Sequence, residues 1–135
     1  MMRLLRTDPR GHLIGLNWDT PPLYMAMDVV VLPTYREGFP IVPIEAAAME
    51  LPVVATEVPG CVDAVQDSVT GTLVPPRDAA ALTEAIRLYL LDSELRRRHG
   101  RAGRERVLRE FRQEDIWEEL YAEYMRLLQM RQRTR

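Results

Sequence analysis

The segment PTYREGFPIVPIE, residues 33–45, decides how this 135-residue chain is interpreted. It overlaps the end of the apolar run Asp28–Pro33, which is typical of a buried strand, and leads into the helix-like stretch Ile41–Glu50. A strand, a short loop and a helix in this order bring backbone N–H groups and the positive end of the helix dipole to the carboxyl end of the strand. The segment therefore predicts a site for a phosphate or another anion.

The residues of this segment have different expected roles. Gly38 allows the backbone to approach a phosphate closely, whereas Pro40 and Pro43 have no N–H to offer. Glu37 precedes the helix, where it can face a ligand, and Glu45 lies one to two turns into the helix. The candidate backbone donors that remain are Gly38, Phe39, Ile41 and Val42. On these residues alone, two solvated surface acids beside a common turn remain an alternative interpretation.

Further strand-like and helix-like segments surround residues 33–45. The helix-like segments Pro21–Met27 and Val62–Gln66 alternate with apolar runs. The runs predicted as strands, besides Asp28–Pro33, are His12–Leu16, Pro52–Thr56 and Thr72–Val74. Strands that alternate with helices predict an α/β fold with a mostly parallel sheet, whose ligands bind at the carboxyl ends of the strands.

The prolines divide one domain, residues 1–135, into two parts. All 10 prolines lie in residues 9–76, so residues 11–78 are predicted as the α/β, ligand-binding part and residues 79–135 as helices. Asp78 is a good N-cap for the first of these helices, which are predicted over 79–91, 94–111 and 113–132. The last helix carries one apolar stripe: Trp117, Leu120, Tyr121, Tyr124 and Leu128.

Composition excludes several classes of function. The chain is 47% hydrophobic and 28% charged, which is typical of a folded soluble protein, and no apolar run reaches the roughly 20 residues needed to span a bilayer. The opening MMRLLRTDPR also lacks the apolar stretch of a secretory signal, so a cytoplasmic location is expected. A net charge of −2 predicts no nucleic-acid partner. Cys61 stands alone, His12 and His99 lack metal-ligand spacing, and Asp-x-Asp is absent, so neither a bound metal nor a cofactor is expected.

A family resemblance starts from Glu37 and Glu45, which form the pattern E-x7-E. The stretch PTYREGFPIVPIEAAAMELPVVAT, residues 33–56, is similar to the donor-site signature of retaining GT-B glycosyltransferases of family 4, the glycosyl transferases group 1. Upstream, Gly15, Leu23-Tyr24 and residues 28–33 resemble further segments of that family. Downstream, PGCVDAV at 59–65 and TGTLVPPRD at 70–78 do so as well. Matches in order along most of the chain are far more specific than E-x7-E alone.

The resemblance implies a Rossmann-like, mostly parallel sheet, as in a GT-B C-terminal domain truncated at its N-terminal side, followed by C-terminal helices. It implies that Glu37 is the catalytic residue that contacts hydroxyls of the donor sugar, and that Glu45 accepts hydrogen bonds from the ribose. Pro40 lies in the donor-binding segment but replaces the commoner glycine, so one N–H is lost. The backbone donors implied for the diphosphate are Gly38, Phe39 and Ile41.

The implied activity is transfer of a sugar from a nucleotide diphosphate sugar to a glycan or lipid-linked acceptor, without a metal ion. A complete enzyme of this kind has an N-terminal acceptor domain, and no sequence of that kind precedes Gly11 here. We therefore expect a fragment or one half of a split enzyme, which binds nucleotide weakly and transfers no sugar alone. The resemblance also implies peripheral contact with the inner face of the cell membrane and an apolar stripe, beginning at Trp117, that is exposed in this chain.

Two alternatives belong to other functional classes. A GT-B relative that binds or epimerises a nucleotide sugar would share the architecture without transferring the sugar. An RNA-binding module of the KH type would use Gly100-Arg101-Ala102-Gly103 as its G-x-x-G loop. Nucleotide-sugar binding would favour the glycosyltransferase or its GT-B relative, whereas salt-dependent RNA binding would favour the KH-type module.

Overall fold

The computed structural model describes residues 8–133, in which a three-stranded sheet is accompanied by six helices. In chain order the elements are α1 Pro21–Met25, β1 Val30–Leu32, α2 Ile41–Ala48, β2 Val53–Thr56, α3 Cys61–Ala64, β3 Gly71–Val74, α4 Ala79–Leu91, α5 Ser93–Glu110 and α6 Gln113–Arg133. Strands and helices alternate up to α4, and the chain then continues as helices.

The sheet is parallel throughout, in the order β1-β2-β3. Val30 of β1 pairs with Val53 of β2, and Val53 pairs with Gly71 of β3. The central strand β2 is buried over all four residues, as a parallel strand covered on both faces requires. The predicted α/β fold with a mostly parallel sheet is confirmed.

The two faces of the sheet belong to two apolar clusters. Val53 and Ala55 point into the cluster that contains Tyr24 and Ala46, whereas Val54, between them in sequence, packs with Tyr89 in the second cluster. Successive side chains of a strand point to opposite faces, so β2 supplies both clusters from neighbouring residues. The helices α1, α2 and α3 therefore cover one face and α4 covers the other.

Helix α5 runs antiparallel to α2 and lies against it at two glycines. A Cβ atom on Gly100 would lie 1.9 Å from the carbonyl oxygen of Glu50, and one on Gly103 would lie 3.1 Å from the Cβ of Ala47. A side chain at Gly100 is therefore incompatible with this separation of the two segments. Arg104 donates to the carbonyl oxygen of Ala48 at the end of α2 and strengthens the same contact.

These glycines overturn the KH-type interpretation. Residues 100–103 lie inside the continuous helix α5 and form no loop. Gly100 and Gly103 are three residues apart, so they share one face of the helix, and that face contacts α2. Their pattern reflects helix packing and not a loop that clamps a nucleic-acid backbone.

The predicted strand at His12–Leu16 is wrong. No residue of this segment pairs in the sheet, and Leu13, Ile14 and Leu16 are all exposed. Gly15 has φ +73, outside the extended region. A strand exists only where its N–H and C=O groups meet those of a neighbour, and an apolar run does not provide that neighbour.

The other elements agree with the sequence except at their ends. The predicted helix at Val62–Gln66 is observed as the short α3, because Val65 is already extended at φ −122 and ψ 125. Helix α4 has the predicted bounds, and the Asp78 side chain caps it by accepting a hydrogen bond from the Ala81 N–H at 2.9 Å.

Every side chain of α6 from Gln113 to Arg131 is exposed. This includes the apolar stripe, so its expected exposure is confirmed: Trp117, Leu120, Tyr121, Tyr124 and Leu128. Among residues 8–133, no helix is both long enough and apolar enough to cross a membrane.

A polar chain lies inside the second cluster. The Tyr89 hydroxyl is 2.9 Å from Thr72 Oγ1 and 2.7 Å from His99 Nδ1. Tyr89 and His99 are both buried, and buried polar groups of this kind are stable only when they are hydrogen-bonded. Burial, followed by the positive charge of Arg98, lowers the pKa of His99, although Asp67 opposes this shift. His99 thus has a structural role.

We predict that the free energy of unfolding decreases as the pH falls below about 6.5. Because the folded state lowers the pKa of His99, the unfolded chain binds the proton more tightly, and stability is lost from the unfolded pKa down to the folded one. Urea unfolding between pH 7.5 and pH 5 measures this slope. The slope should be smaller in His99→Asn than in the parent chain, and His12→Asn, whose side chain is exposed, is the matched control. Equal slopes in His99→Asn and the parent chain would contradict the assignment.

Candidate functional site

The segment between β1 and α2, residues 33–40, lies at the carboxyl end of the sheet. The hydroxyl of Thr56, the last residue of β2, donates a hydrogen bond to the carbonyl oxygen of Thr34. Thr56 itself is buried. The loop that follows β1 is therefore fixed to the end of the neighbouring strand, which is where ligands of parallel α/β sheets bind.

Gly60 contacts the middle of this loop at Gly38. It has φ +83 and ψ −46 at the start of α3, and a Cβ atom there would lie 2.0 Å from the carbonyl oxygen of Gly38. Gly60 is required both by its left-handed φ and by this contact. Gly38 differs, because a Cβ atom on it would meet no atom within 4 Å. The space beside the Gly38 Cα is therefore open.

Helix α2 begins without a side-chain cap. Pro40 is its N-cap residue, with φ −76 and ψ 126, and provides no hydrogen-bonding side chain. Phe39 and Ile41 are 49% and 67% exposed, so the helix start is accessible from solvent. Within residues 8–133, no group of the chain accepts a hydrogen bond from the backbone N–H of Gly38, Phe39, Ile41 or Val42. Unpaired N–H groups at a helix start make a site that favours anions.

Glu37 lies on the α3 side of this loop. Its side chain is half-buried, and its negative charge acts on the buried thiol of Cys61. Burial is the larger cause that raises the pKa of Cys61, and the charge of Glu37 raises it further. A raised pKa favours the protonated thiol, which is a weaker nucleophile than the thiolate.

Glu45 lies on the opposite side, where α1 packs against α2. The Tyr24 hydroxyl donates a hydrogen bond of 2.8 Å to Glu45 Oε2. Burial, the bond to Glu45 and the charge of Glu45, in that order, raise the pKa of Tyr24 to about 12. The two carboxylates of the E-x7-E pattern thus belong to one loop and helix but have different neighbours.

Phe111 supports the loop from the end of α5. The ring centroids of Phe39 and Phe111 are 5.8 Å apart, and the Arg106 guanidinium lies 5.3 Å from the centroid of Phe111. Arg106 also donates to the carbonyl oxygens of Ala64 and Asp63, at 2.9 and 2.6 Å. These contacts connect the helix end, the loop and α3, and the sequence did not predict them because the residues are far apart along the chain.

An open cavity of about 340 Å³ lies beside the loop, also at the carboxyl ends of the strands. None of the predicted site residues lines it. Over its edge, the Arg77 guanidinium lies 5.7 Å from the Tyr35 ring centroid. The lining residues are Pro33, Tyr35, Thr56, Pro75, Arg77, Asp78, Ala79 and Leu82. In the part of the chain that the structure describes, no group of three His, Cys, Asp or Glu side chains is placed to hold a metal ion.

Residues 10–106 match the family model described as glycosyl transferases group 1. The chain belongs to this family. Its relatives include the capsular polysaccharide biosynthesis glycosyltransferase CapM of Staphylococcus aureus, which is 42% identical over 120 residues, or 89% of this chain. Those residues make up 32% of CapM, so the chain spans about a third of that relative.

Solved structures of glycosyltransferases and similar enzymes have the same fold as this chain. Sucrose-phosphate synthase from Thermosynechococcus elongatus is 40% identical, with a TM-score of 0.79 over 82% of this chain and 28% of that one. Anabaena Alr3699/HepE in complex with UDP and glucose is 25% identical, with a TM-score of 0.80 over 90% of this chain and 34% of that one. The structural neighbours are GT-B glycosyltransferases, which confirms the expected fold class.

We predict that Gly60→Ala destabilises this glycosyl transferases group 1 chain, whereas Gly38→Ala does not. A Cβ atom on residue 60 would overlap the Gly38 carbonyl, and its φ is unfavourable for alanine. Backbone strain of this kind costs about 1–3 kcal/mol before the overlap is counted. Gly38→Ala adds a methyl group in open space and should change the free energy of unfolding by less than about 1 kcal/mol. Urea unfolding of both variants measures the difference. Equal losses in the two variants would mean that Gly60 does not support the loop.

Proposed function

We propose that this chain is the donor-binding portion of a retaining glycosyltransferase, which moves a sugar from a nucleotide diphosphate sugar to a glycan or lipid-linked acceptor. The observation that carries the proposal is the uncapped start of α2, where accessible N–H groups lie at the carboxyl end of a parallel sheet. Family membership and a structural neighbour bound to UDP and glucose support it. In this proposal the chain provides one side of the donor site.

The diphosphate would bind to the backbone N–H groups of Gly38, Phe39 and Ile41. They are unpaired within the described residues, and the dipole of α2 adds positive potential at the same place. Pro40 contributes the turn into the helix but no donor. Negative charge that develops on the leaving diphosphate would be stabilised by these fixed donors.

Glu37 is proposed as the catalytic residue. Its half-buried carboxylate directly precedes Gly38 and Phe39, which are proposed to bind the diphosphate, so it would face the sugar attached to that diphosphate. Its oxygens accept hydrogen bonds from sugar hydroxyls and so orient the sugar for transfer with retention of configuration. The neighbouring Cys61 thiol, whose raised pKa keeps it protonated, does not compete with this role.

Glu45 is proposed to accept hydrogen bonds from the ribose of the nucleotide. Glu45 lies one turn after Ile41 on α2, and we propose that the nucleoside extends from the diphosphate toward this turn. A carboxylate has about four acceptor sites on its two oxygens, so Glu45 can accept two adjacent ribose hydroxyls as well as the Tyr24 hydroxyl. The nucleotide is therefore recognised by its ribose and diphosphate.

The remaining partners belong to the whole enzyme. We propose that an acceptor-binding N-terminal domain completes the site, that the acceptor binds mainly to that domain, and that the enzyme works in the cytoplasm with peripheral contact at the inner face of the membrane. The exposed stripe of α6, which includes Trp117 and Tyr121, is consistent with a surface that is covered in a larger assembly.

The first test of this function is Glu45→Ala. Hydrogen bonds to a charged group contribute about 1.5–3 kcal/mol each, so the loss of Glu45 should weaken UDP or GDP binding by about tenfold or more. Isothermal titration calorimetry on this chain measures the change. Glu84→Ala is the matched control, because Glu84 is an exposed acid on α4. Unchanged affinity in Glu45→Ala would remove Glu45 from the site.

The second test concerns metal ions. If backbone N–H groups and the helix dipole meet the phosphate charge, UDP or GDP should bind with the same affinity, within about twofold, in excess EDTA and in millimolar MgCl₂. The same titration compares the two conditions for the parent chain. A strict requirement for magnesium or manganese would contradict phosphate binding by the helix start.

A further inference from the structure

We propose that Tyr24 is a positioning residue for Glu45, and that its hydroxyl prepares the Glu45 carboxylate to accept the ribose hydroxyls of a nucleoside diphosphate. The inference rests on the proposed function, because it assigns a second residue to the same site. Its basis is the 2.8 Å hydrogen bond from the Tyr24 hydroxyl to Glu45 Oε2, which joins α1 to α2 across 21 positions of sequence.

Tyr24 is firmly held. Its side chain is only 8% exposed and packs in the cluster that contains Val30 and Ala46. Its backbone N–H donates to the Thr20 carbonyl at 3.2 Å, and its carbonyl accepts from the Met27 N–H at 3.0 Å. The phenol therefore has a fixed position relative to the sheet. A fixed donor can determine where a more flexible acceptor lies.

Glu45 is the flexible member of the pair. A glutamate side chain has several rotatable bonds, and ordering it when a ligand binds costs conformational entropy. The bond to Tyr24 holds Oε2 before any ligand arrives. Within residues 8–133, Glu45 Oε1 accepts no hydrogen bond from the chain. One oxygen is therefore fixed and the other is available, so the ribose meets a carboxylate that is already ordered.

The Tyr24 hydroxyl keeps its proton at neutral pH. The pKa of Tyr24 is raised to about 12, so its hydroxyl stays a donor across the pH range in which proteins of this class are handled. Because Tyr24 contacts Glu45 and is buried, it acts on the ligand through the carboxylate. Tyr24 therefore differs from the residues proposed to touch the nucleotide directly.

The test compares UDP and GDP with their 2′,3′-dideoxy analogues, which lack the ribose hydroxyls. In Tyr24→Phe, we expect affinity for the parent nucleotide to fall by about fivefold or more, and affinity for its dideoxy analogue to change by less than about twofold. Tyr89→Phe is the matched control, since it also removes a buried hydroxyl bonded to Thr72 and His99, but away from this site. It should leave the ratio of the two affinities unchanged.

A double-mutant cycle shows whether Tyr24 acts through Glu45. In the Glu45→Ala background, Tyr24→Phe should cause no further loss of nucleotide affinity, because the group that it positions is absent. A full additional loss in that background would overturn the inference. If Tyr24→Phe lowers the affinities for the nucleotide and for its dideoxy analogue equally, the inference is also overturned, because that result indicates a general structural effect.

The two proposals fail in different ways. If neither nucleotide binds the parent chain, or if Glu45→Ala binds as tightly as the parent chain, the proposed function fails and the inference fails with it. If Glu45→Ala weakens binding, but Tyr24→Phe has the same ratio of nucleotide affinity to dideoxy-analogue affinity as the unsubstituted chain, only the inference fails. If Tyr24→Phe does not fold, Glu45→Asp replaces it in the test, because the shorter acid is withdrawn from Tyr24. In Glu45→Asp the preference for the nucleotide over its dideoxy analogue should be lost. Full discrimination in Glu45→Asp would overturn the role of Tyr24.

Discussion

The contact between α2 and α5 fixes the position of the site. Gly100 leaves no room for a side chain between α5 and the end of α2, so the two helices lie at a distance that backbone atoms determine. Ala46 and Ala47 of α2 are both buried, with the sheet on one side of the helix and α5 on the other. A helix held on two sides presents its first turn in one position, and Phe111 at the end of α5 supports Phe39 just before that turn.

The candidate site combines unpaired N–H groups at the start of α2 with the carboxylates of Glu37 and Glu45. Glu37 and Glu45 repel a diphosphate, while the N–H groups at the start of α2 attract it. The arrangement is consistent with a ligand that presents hydroxyls to the acids and phosphate to the backbone. Tyr24 reduces the conflict, because its hydroxyl shares the charge of Glu45 through a hydrogen bond. A sugar nucleotide, the ligand proposed for this site, has both kinds of group.

Local patterns predicted the elements that depend on local chemistry, and failed where a distant partner decides. The short apolar runs at β1, β2 and β3 and the Asp78 cap were predictable, since alternation with helices and capping are visible over a few residues. The run His12–Leu16 has the same apolar character but no pairing neighbour, so it forms no strand. Gly100-Arg101-Ala102-Gly103 resembles a loop motif, yet its glycines serve the packing of α5 on α2.

The sequence by itself determined the alternation of strands and helices, the family, and the segment that contains Glu37, Gly38 and Ile41, because these are properties of contiguous residues. Only the tertiary structure decided that Tyr24 bonds Glu45, that Gly60 supports Gly38, and that Phe111 packs against Phe39. The physical reason is that each of these contacts joins residues about 20 or more positions apart. Such distances are set by how helices pack on the sheet, and no pattern of neighbouring residues encodes them.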